Sequence, residues 1–370
     1  MTEDLLLYKV ALSMIPGIGG VLARTLVEHV GSVEAVFREP LRNLIRIPGI
    51  GEVNGRKIRE SDTLVSAEKE LAYAVREGIR IFFYLDGDYP RRFRECADAP
   101  VVCYYKGVAD LDMAKAVCVV GTRHATDYGR QICDELLRDL ASRGHQLLVV
   151  SGLAYGIDIQ AHKSALKYGL PTVGVLGHGL DKLYPAQHAP TAKTMLLKGG
   201  LLTDFPSGTR IDPPNFIRRN RLIAGLSDVT VVVESGEKGG ALITSDIASS
   251  YDREVCAFPG RAVDIHSKGC NMLIKKNIAA MIENAEDLEF ALGWIPEAKM
   301  RAPRQQELFA RLSGEEQRVV DWLKKEDKMD LDTLALAVEM PVRKLSALLL
   351  ELEVKGGVVA LPGNQYRLKY

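Results

Sequence analysis

Between Ala114 and Gly293 the chain alternates short, almost wholly apolar runs with longer amphipathic ones, and few folds accommodate that alternation. The runs AVCVV (116–120), QLLVV (146–150), TVGVL (172–176), GLLTDF (200–205), DVTVVV (228–233) and EVCAF (254–258) are rich in β-branched residues. Runs of this length and character are strands covered on both faces. Helical stretches separate them: DYGRQICDELLRDLASRG, GIDIQAHKSALKYG, an 11-residue stretch near Ala189–Gly199, and ALITSDIASSYDR. Strand and helix in strict succession predict an α/β, Rossmann-like, doubly wound parallel sheet with its ligands at the carboxyl ends of the strands.

The flanking sequence has a different grain. Residues 1–75 read as short helices, and the segment IPGIG occurs twice, at Ile15–Gly19 and Ile47–Gly51. Each copy sits between two helical stretches, which predicts a tandem helix-hairpin-helix (SAM-like) domain. Glycines in such turns leave helix N-terminal amides facing outward, where they can hold a DNA phosphate; two tight turns with no ligand are the plainer reading. Residues 76–295 form the Rossmann-like domain, entered through two strands, IRIFFYL and PVVCYYKG. Residues 296–310 are polar with two prolines and read as a linker, and 311–370 as a further unit. In that unit Ser313 and Glu316 have capping-box spacing, Pro341 stands at an N1-like position, and VVALPGNQYRLKY is a hairpin after three helices, which is winged-helix order.

Composition sets the class of partner. The chain has 48 basic and 48 acidic side chains, so a protein that coats duplex DNA over its whole surface is excluded, whereas a local basic stripe is not. Its first residues are acidic where a signal peptide needs Lys or Arg, and no apolar run is long enough to span a membrane. The six cysteines never occur as CxxC, which fits buried thiols in a reduced cytoplasm and gives no metal site.

The strand-end loops supply anion-binding chemistry. Gly121-Thr122-Arg123 follows the first strand of the alternating region; it is not GxGxxG, and a dinucleotide is not expected, but Arg123 is a planar phosphate donor. Ser151 and Gly152 close the second strand, with Lys163 on the helix beyond. Asp158 and His162 lie one turn apart, as an acid–base pair or half a metal site would, although a helix-start carboxylate beside a structural histidine is the commoner arrangement. The segment Phe216–Gly225 holds Arg218, Arg219 and Arg221, with Asn220 and no acid. Converging guanidinium groups beside Phe216 as a stacking surface fit a groove for single-stranded nucleic acid. Lys268 and Asn271 extend it. No triad, GxSxG, HExxH or P-loop is present, so no catalytic residue, metal or cofactor is assigned.

Several long segments, in order, resemble the DNA-processing protein A (DprA, or Smf) family. GTRHATDYG is similar to its GSRxxxxYG loop, SGLAYGIDIQAH to its SGxAxGID segment, and FPSGTRIDPPNFIRRNRLIAGLS to its FPxGT…RNRIIAGLS stretch. Gly239-Gly240-Ala241 replaces the usual serine-glycine-serine, and Ile217 the usual proline. The resemblance implies a cytoplasmic, non-enzymatic homodimer that binds and protects single-stranded DNA and helps load the RecA recombinase during DNA uptake, competence and natural transformation. It places DNA contacts on Gly121, Thr122, Arg123, Ser151, Gly152, Lys163, Arg218, Arg219, Asn220 and Arg221. Two other expectations compete with it. One is a nucleotide hydrolase of the lysine-decarboxylase-like Rossmann group, whose PGGxGTxxE motif SGEKGGALITSD lacks. The other is a structural scaffold with a protein-docking winged-helix tail.

Overall fold

A computed structural model describes residues 3–60, 62–296, 312–326, 328–354, 357–361 and 364–368. They divide into two compact units, Met1–Trp294 and Ile295–Tyr370. The linker expected over 296–310 lies outside the described residues except for its first.

A nine-stranded sheet organises the first unit. In chain order its strands are β1 (Arg80–Phe83), β2 (Val102–Gly107), β3 (Lys115–Gly121), β4 (Leu147–Gly152), β5 (Thr172–Val175), β6 (Gly200–Thr203), β7 (Val229–Glu234), β8 (Glu254–Ala257) and β9 (Ala280–Met281). Their spatial order is β1-β2-β6-β5-β4-β3-β7-β8-β9. The run from β6 to β9 is parallel, and β1 and β2 add an antiparallel edge. The chain winds outward from β3 to β6, then returns to the other side of β3 with β7, so the sheet is doubly wound and its switch point lies at β3. The apolar runs are strands because both faces are covered: Val117, Val119 and Val149 pack on one side, Cys118, Val120 and Val150 on the other. The strand β9 falls within a segment of purely helical pattern and exists only through its pairing with β8.

The N-terminal helices are not a separate globule. Leu12, Leu26, Leu44 and Ile58 share one core with Phe83, Val102 and Tyr104 of the sheet edge. Both IPGIG copies are helix–turn–helix connections, the first between Glu3–Met14 and Gly20–Val30, the second between Leu41–Leu44 and Gly51–Glu60. A buried ion pair, Lys9 to Asp86 at 2.6 Å, ties the first helix to the loop after β1.

The second unit has helices Gly314–Lys325, Leu331–Ala337 and Val342–Val354, with strands β10 (Met329–Asp330), β11 (Val358–Leu361) and β12 (Gln365–Leu368). The expected capping box is formed: Glu316 N–H donates to Ser313 Oγ at 3.3 Å, and Ser313 N–H to Glu316 Oε2 at 2.7 Å. Pro341 caps its helix from outside, its carbonyl accepting from Lys344 and Leu345, rather than occupying the first helical position. The short β10, which pairs with β12, has no sequence signal of its own.

Arg92 of the YPRRF segment fastens the antiparallel edge to the parallel core. Its guanidinium grips Asp228, just before β7, through two bonds of 2.6 and 2.9 Å, and Asp228 also accepts Ala116 N–H at 2.7 Å. Arg92→Ala leaves that carboxylate without its partner and is expected to cost about 2–4 kcal/mol of stability, measurable as a lower midpoint in urea unfolding with the m-value retained.

Candidate nucleic-acid interface

The carboxyl end of β3 leads into Gly121-Thr122-Arg123. Thr122 N–H donates to Glu234 O of β7 at 2.7 Å, and its hydroxyl accepts from His124 N–H at 3.1 Å. The helix that follows, Asp127–Ser142, is capped by Thr126, whose Oγ1 accepts from Gly129 N–H at 3.1 Å. The buried Glu234 carboxylate accepts from Thr126 N–H at 2.9 Å and from its hydroxyl at 2.6 Å. A protein carboxylate therefore already sits at this helix start, so anion binding at the loop falls to Arg123, which is exposed.

The loop after β4 is locked against the first. Gly156 takes φ +77°, and a Cβ there would run into Thr122 O and the Arg123 backbone. Ile157 N–H donates to Thr122 O at 3.2 Å. The Ser151 hydroxyl donates to Val119 O at 2.6 Å and is wholly buried. Gly152 is required because a side chain would collide with the Arg219 guanidinium on one hand and the Asp158 carboxylate on the other.

Asp158 and Arg219 are both buried. Burial pushes the Asp158 carboxyl up, opposed by the charge of Arg219, the Ala154 N–H, the charge of Arg123 and the Ser151 hydroxyl. Arg219 donates to Val175 O at 2.6 Å, and its Nε is buried without a partner. Together Arg219 and Arg123 line a cleft at the ends of β4 and β5, walled by Phe216, Tyr184 and Tyr155. The Phe216 and Tyr184 rings lie 5.7 Å apart, at 41°.

The arginines of the Pro213–Gly225 helix do not all reach this cleft. Residues 218 and 219 are 100° apart around a helix, so Phe216 and Arg219 face the sheet ends while Arg218 and Arg221 face the N-terminal helices. Arg221 bonds to the buried Asp204 carboxylate and to Asp98 O. Arg218 stays 58% exposed, its guanidinium 5.1 Å from the centre of the Phe205 ring. Asn220 is buried and donates to Gly240 O at 3.4 Å. Lys163 is exposed but does not line the cleft. Lys268 and Asn271 stand on the far side of β3, after β8; Lys268 is exposed, and the Asn271 amide is committed to Gly260, accepting from its N–H at 3.1 Å and donating to its O at 3.0 Å. Tyr155 and Tyr184 are cleft residues that the sequence reading passed over; each sits beside a turn residue, Gly156 or Pro185, and that position was the only signal.

His162 does not pair with Asp158. It is buried, with Nε2 2.6 Å from Gly152 O and Nδ1 2.7 Å from Thr172 Oγ1. A neutral ring makes both contacts with Nε2 donating to Gly152 O and Nδ1 accepting the Thr172 hydroxyl proton, for which Val149 O, 3.0 Å from the same hydroxyl, is the competing acceptor. Burial lowers its pKa to about 4, in keeping with that neutral form.

Fold and site together define a Rossmann-like protein with an arginine-floored, aromatic-walled cleft at its strand ends, flanked by a helix-hairpin-helix segment. The chain belongs to the DNA recombination-mediator protein A family, whose model matches residues 80–292. The DprA winged-helix domain matches 301–364, and the SAM-like helix-hairpin-helix tandem 10–61. The chain is 34% identical to Protein Smf of Escherichia coli over 76% of its length and 75% of the relative's. Protein Smf of Synechocystis is 33% identical, over 78% and 73%. The X-ray structure of DNA processing protein A from Streptococcus pneumoniae superposes with a TM-score of 0.67 and 30% identity, covering 76% of this chain and 96% of that one. A structure of the Helicobacter pylori protein, described for its single-stranded DNA binding mode, gives 0.52 and 29%, covering 58% and 95%.

The buried neutral His162 makes the fold acid-sensitive. An unfolded histidine takes up a proton near 6.5 and the folded one near 4, so its contribution is complete above pH 6.5 and is lost as the pH falls toward 4. The loss is on the order of 3 kcal/mol, at about 1.4 kcal/mol per pH unit. Melting temperatures measured across that range are expected to fall steeply for the parent protein and more shallowly for His162→Gln.

Proposed function

We propose that this protein binds single-stranded DNA along the strand-end cleft, holds it through its phosphates, and hands it to a RecA-class recombinase during DNA uptake and natural transformation. The observation that carries this reading is the meeting of Arg123 and Arg219, from separate crossover segments, in a cleft walled by Phe216, Tyr184 and Tyr155. Guanidinium groups track a sugar-phosphate chain whatever its sequence, and aromatic faces stack on any base; a duplex, with its bases already stacked, uses neither wall. The single-stranded DNA binding described for the Helicobacter pylori relative supports the same ligand, and the DNA-processing names of the relatives support the same process.

A non-catalytic role fits the chemistry of the described residues. Burial pushes all six cysteine thiols up, so none is poised as a thiolate. The Ser151 hydroxyl is spent on Val119 O, and His162 on the backbone. No helix among the described residues is long and apolar enough to cross a membrane, and the reading places the protein in the cytoplasm. We read it as a homodimer: β9 is an open sheet edge, and Met281 on it and Phe290 on the next helix, Ala285–Leu292, are 54% and 92% exposed.

Arg123 is exposed, so Arg123→Ala is expected to leave the melting temperature unchanged while weakening binding of labelled oligo-dT by roughly tenfold, the scale of one charged phosphate contact. Fluorescence anisotropy across a salt series checks this, with duplex of equal length as the weaker competitor. Equal affinity in parent and variant, or a preference for duplex, overturns the reading. Phe290→Glu is expected to shift the protein toward monomer in sedimentation.

A further inference from the structure

The crevice of a doubly wound sheet opens where the strand order reverses, here between β3 and β7. In such folds a ligand's phosphate rests on the first amides of the helix that follows the central strand. In this chain that place is taken. Glu234, the last residue of β7, reaches across to the start of the Asp127–Ser142 helix. There Oε2 accepts from Thr126 N–H at 2.9 Å, and Oε1 from the Thr126 hydroxyl at 2.6 Å. The main chain closes the same gap, with Glu234 O accepting from Thr122 N–H at 2.7 Å.

Glu234 is buried, and among the described residues no ammonium or guanidinium group forms an ion pair with it. A buried carboxylate without a cation is costly. What offsets the cost is the positive end of a helix of 16 residues, together with the two bonds from Thr126. The helix is shaped to admit this group. At Gly129 a Cβ would stand 2.6 Å from Glu234 Oε2, closer than non-bonded atoms approach. Glycine weakens a helix, so its presence at this position answers the needs of the carboxylate and not those of the helix. The next helix start, that of Ile157–Lys167, also holds a carboxylate of the chain itself, Asp158.

We propose that Glu234 is a specificity-determining residue: its carboxylate fills the phosphate position of the switch-point crevice and keeps mononucleotides out of it. A second anion finds neither room nor a favourable field there, because the helix start already faces a negative charge. Phosphates are left with the exposed guanidinium of Arg123, outside the crevice. A free nucleotide offers that group one phosphate. A polynucleotide offers a row of phosphates and bases, and its weak contacts add along the strand. The chain thereby separates a strand from the free nucleotides that share its chemistry. The preference for a strand rests on the single-strand reading, whereas the exclusion from the crevice does not.

The test is isothermal titration calorimetry of the full chain, parent and Glu234→Ala, with inorganic phosphate and with dTMP, the ionic strength matched with chloride. Removing the side chain empties the position and frees the Thr126 N–H and hydroxyl to donate to a phosphate. Glu234→Ala is therefore expected to bind both probes roughly tenfold more tightly than the parent, the scale of one charge-assisted contact. In fluorescence anisotropy, dTMP is expected to displace labelled oligo-dT from the variant at roughly a tenth of the concentration the parent requires. A merely structural role for Glu234 would lower the unfolding midpoint of the variant and create no such affinity. A folded Glu234→Ala that binds phosphate and dTMP no more tightly than the parent overturns the inference. If the variant does not fold in chloride, it is expected to fold in phosphate, which takes the place of the carboxylate; circular dichroism that shows it unfolded in both also overturns the inference. If the parent binds no oligo-dT, the single-strand reading falls, and the calorimetry still decides the exclusion.

Discussion

A guanidinium and a carboxylate buried on either side of Gly152 set the geometry of the strand-end cleft. Neither charge is tolerable alone in that environment, because an unpaired ion so far from water costs several kcal/mol. Asp158 and Arg219 offset one another, and Gly152 leaves room for both. The backbone around them is drawn into the arrangement: Val175 O accepts from Arg219, Gly152 O from His162, and Thr122 O from Ile157. The loops after β3, β4 and β5 are thus fixed relative to one another before any ligand arrives, which is the preorganisation that lets a binding site avoid ordering costs.

The overall charge balance and the local basic character are compatible for a related reason. Acids near the site are mostly internal and assigned to partners: Glu234 holds the Thr126 cap, Asp158 faces Arg219, and Asp204 holds Arg221. What remains presented at the surface of the Pro213–Gly225 helix and the β3 loop is cationic, through Arg218 and Arg123. A formal net charge of zero describes the chain and says little about the field over one face of it.

The legible parts of the fold share one property, a pattern strong over many residues. AVCVV, QLLVV and DVTVVV became β3, β4 and β7 because a β-branched apolar run has few other stable fates. The two IPGIG turns and the capping box at Ser313 were equally plain. The strands β9 and β10, two residues each, were not, since pairing with β8 and β12 makes them strands and no local preference does. Within the candidate site, Arg123 and Phe216 could be singled out from loop position and composition. Which of Arg218, Arg219 and Arg221 shares their cleft could not, because neighbouring residues on a helix point 100° apart and only the packing of that helix decides which direction is which.

The amino-acid sequence by itself determined the order of elements, the parallel core, the helix-hairpin-helix and winged-helix segments that flank it and the chemical character of the strand-end loops, since these follow from periodicity and residue type along the chain. Tertiary structure alone decided that Asn271 serves Gly260, that Arg221 bonds the buried Asp204 carboxylate while Arg218 stays largely exposed, and that Phe216 and Arg219 share one cleft. Those outcomes depend on which groups distant in the chain come within a few ångströms of each other, and electrostatic and hydrogen-bonding energies are set by that separation and burial, which no local pattern encodes.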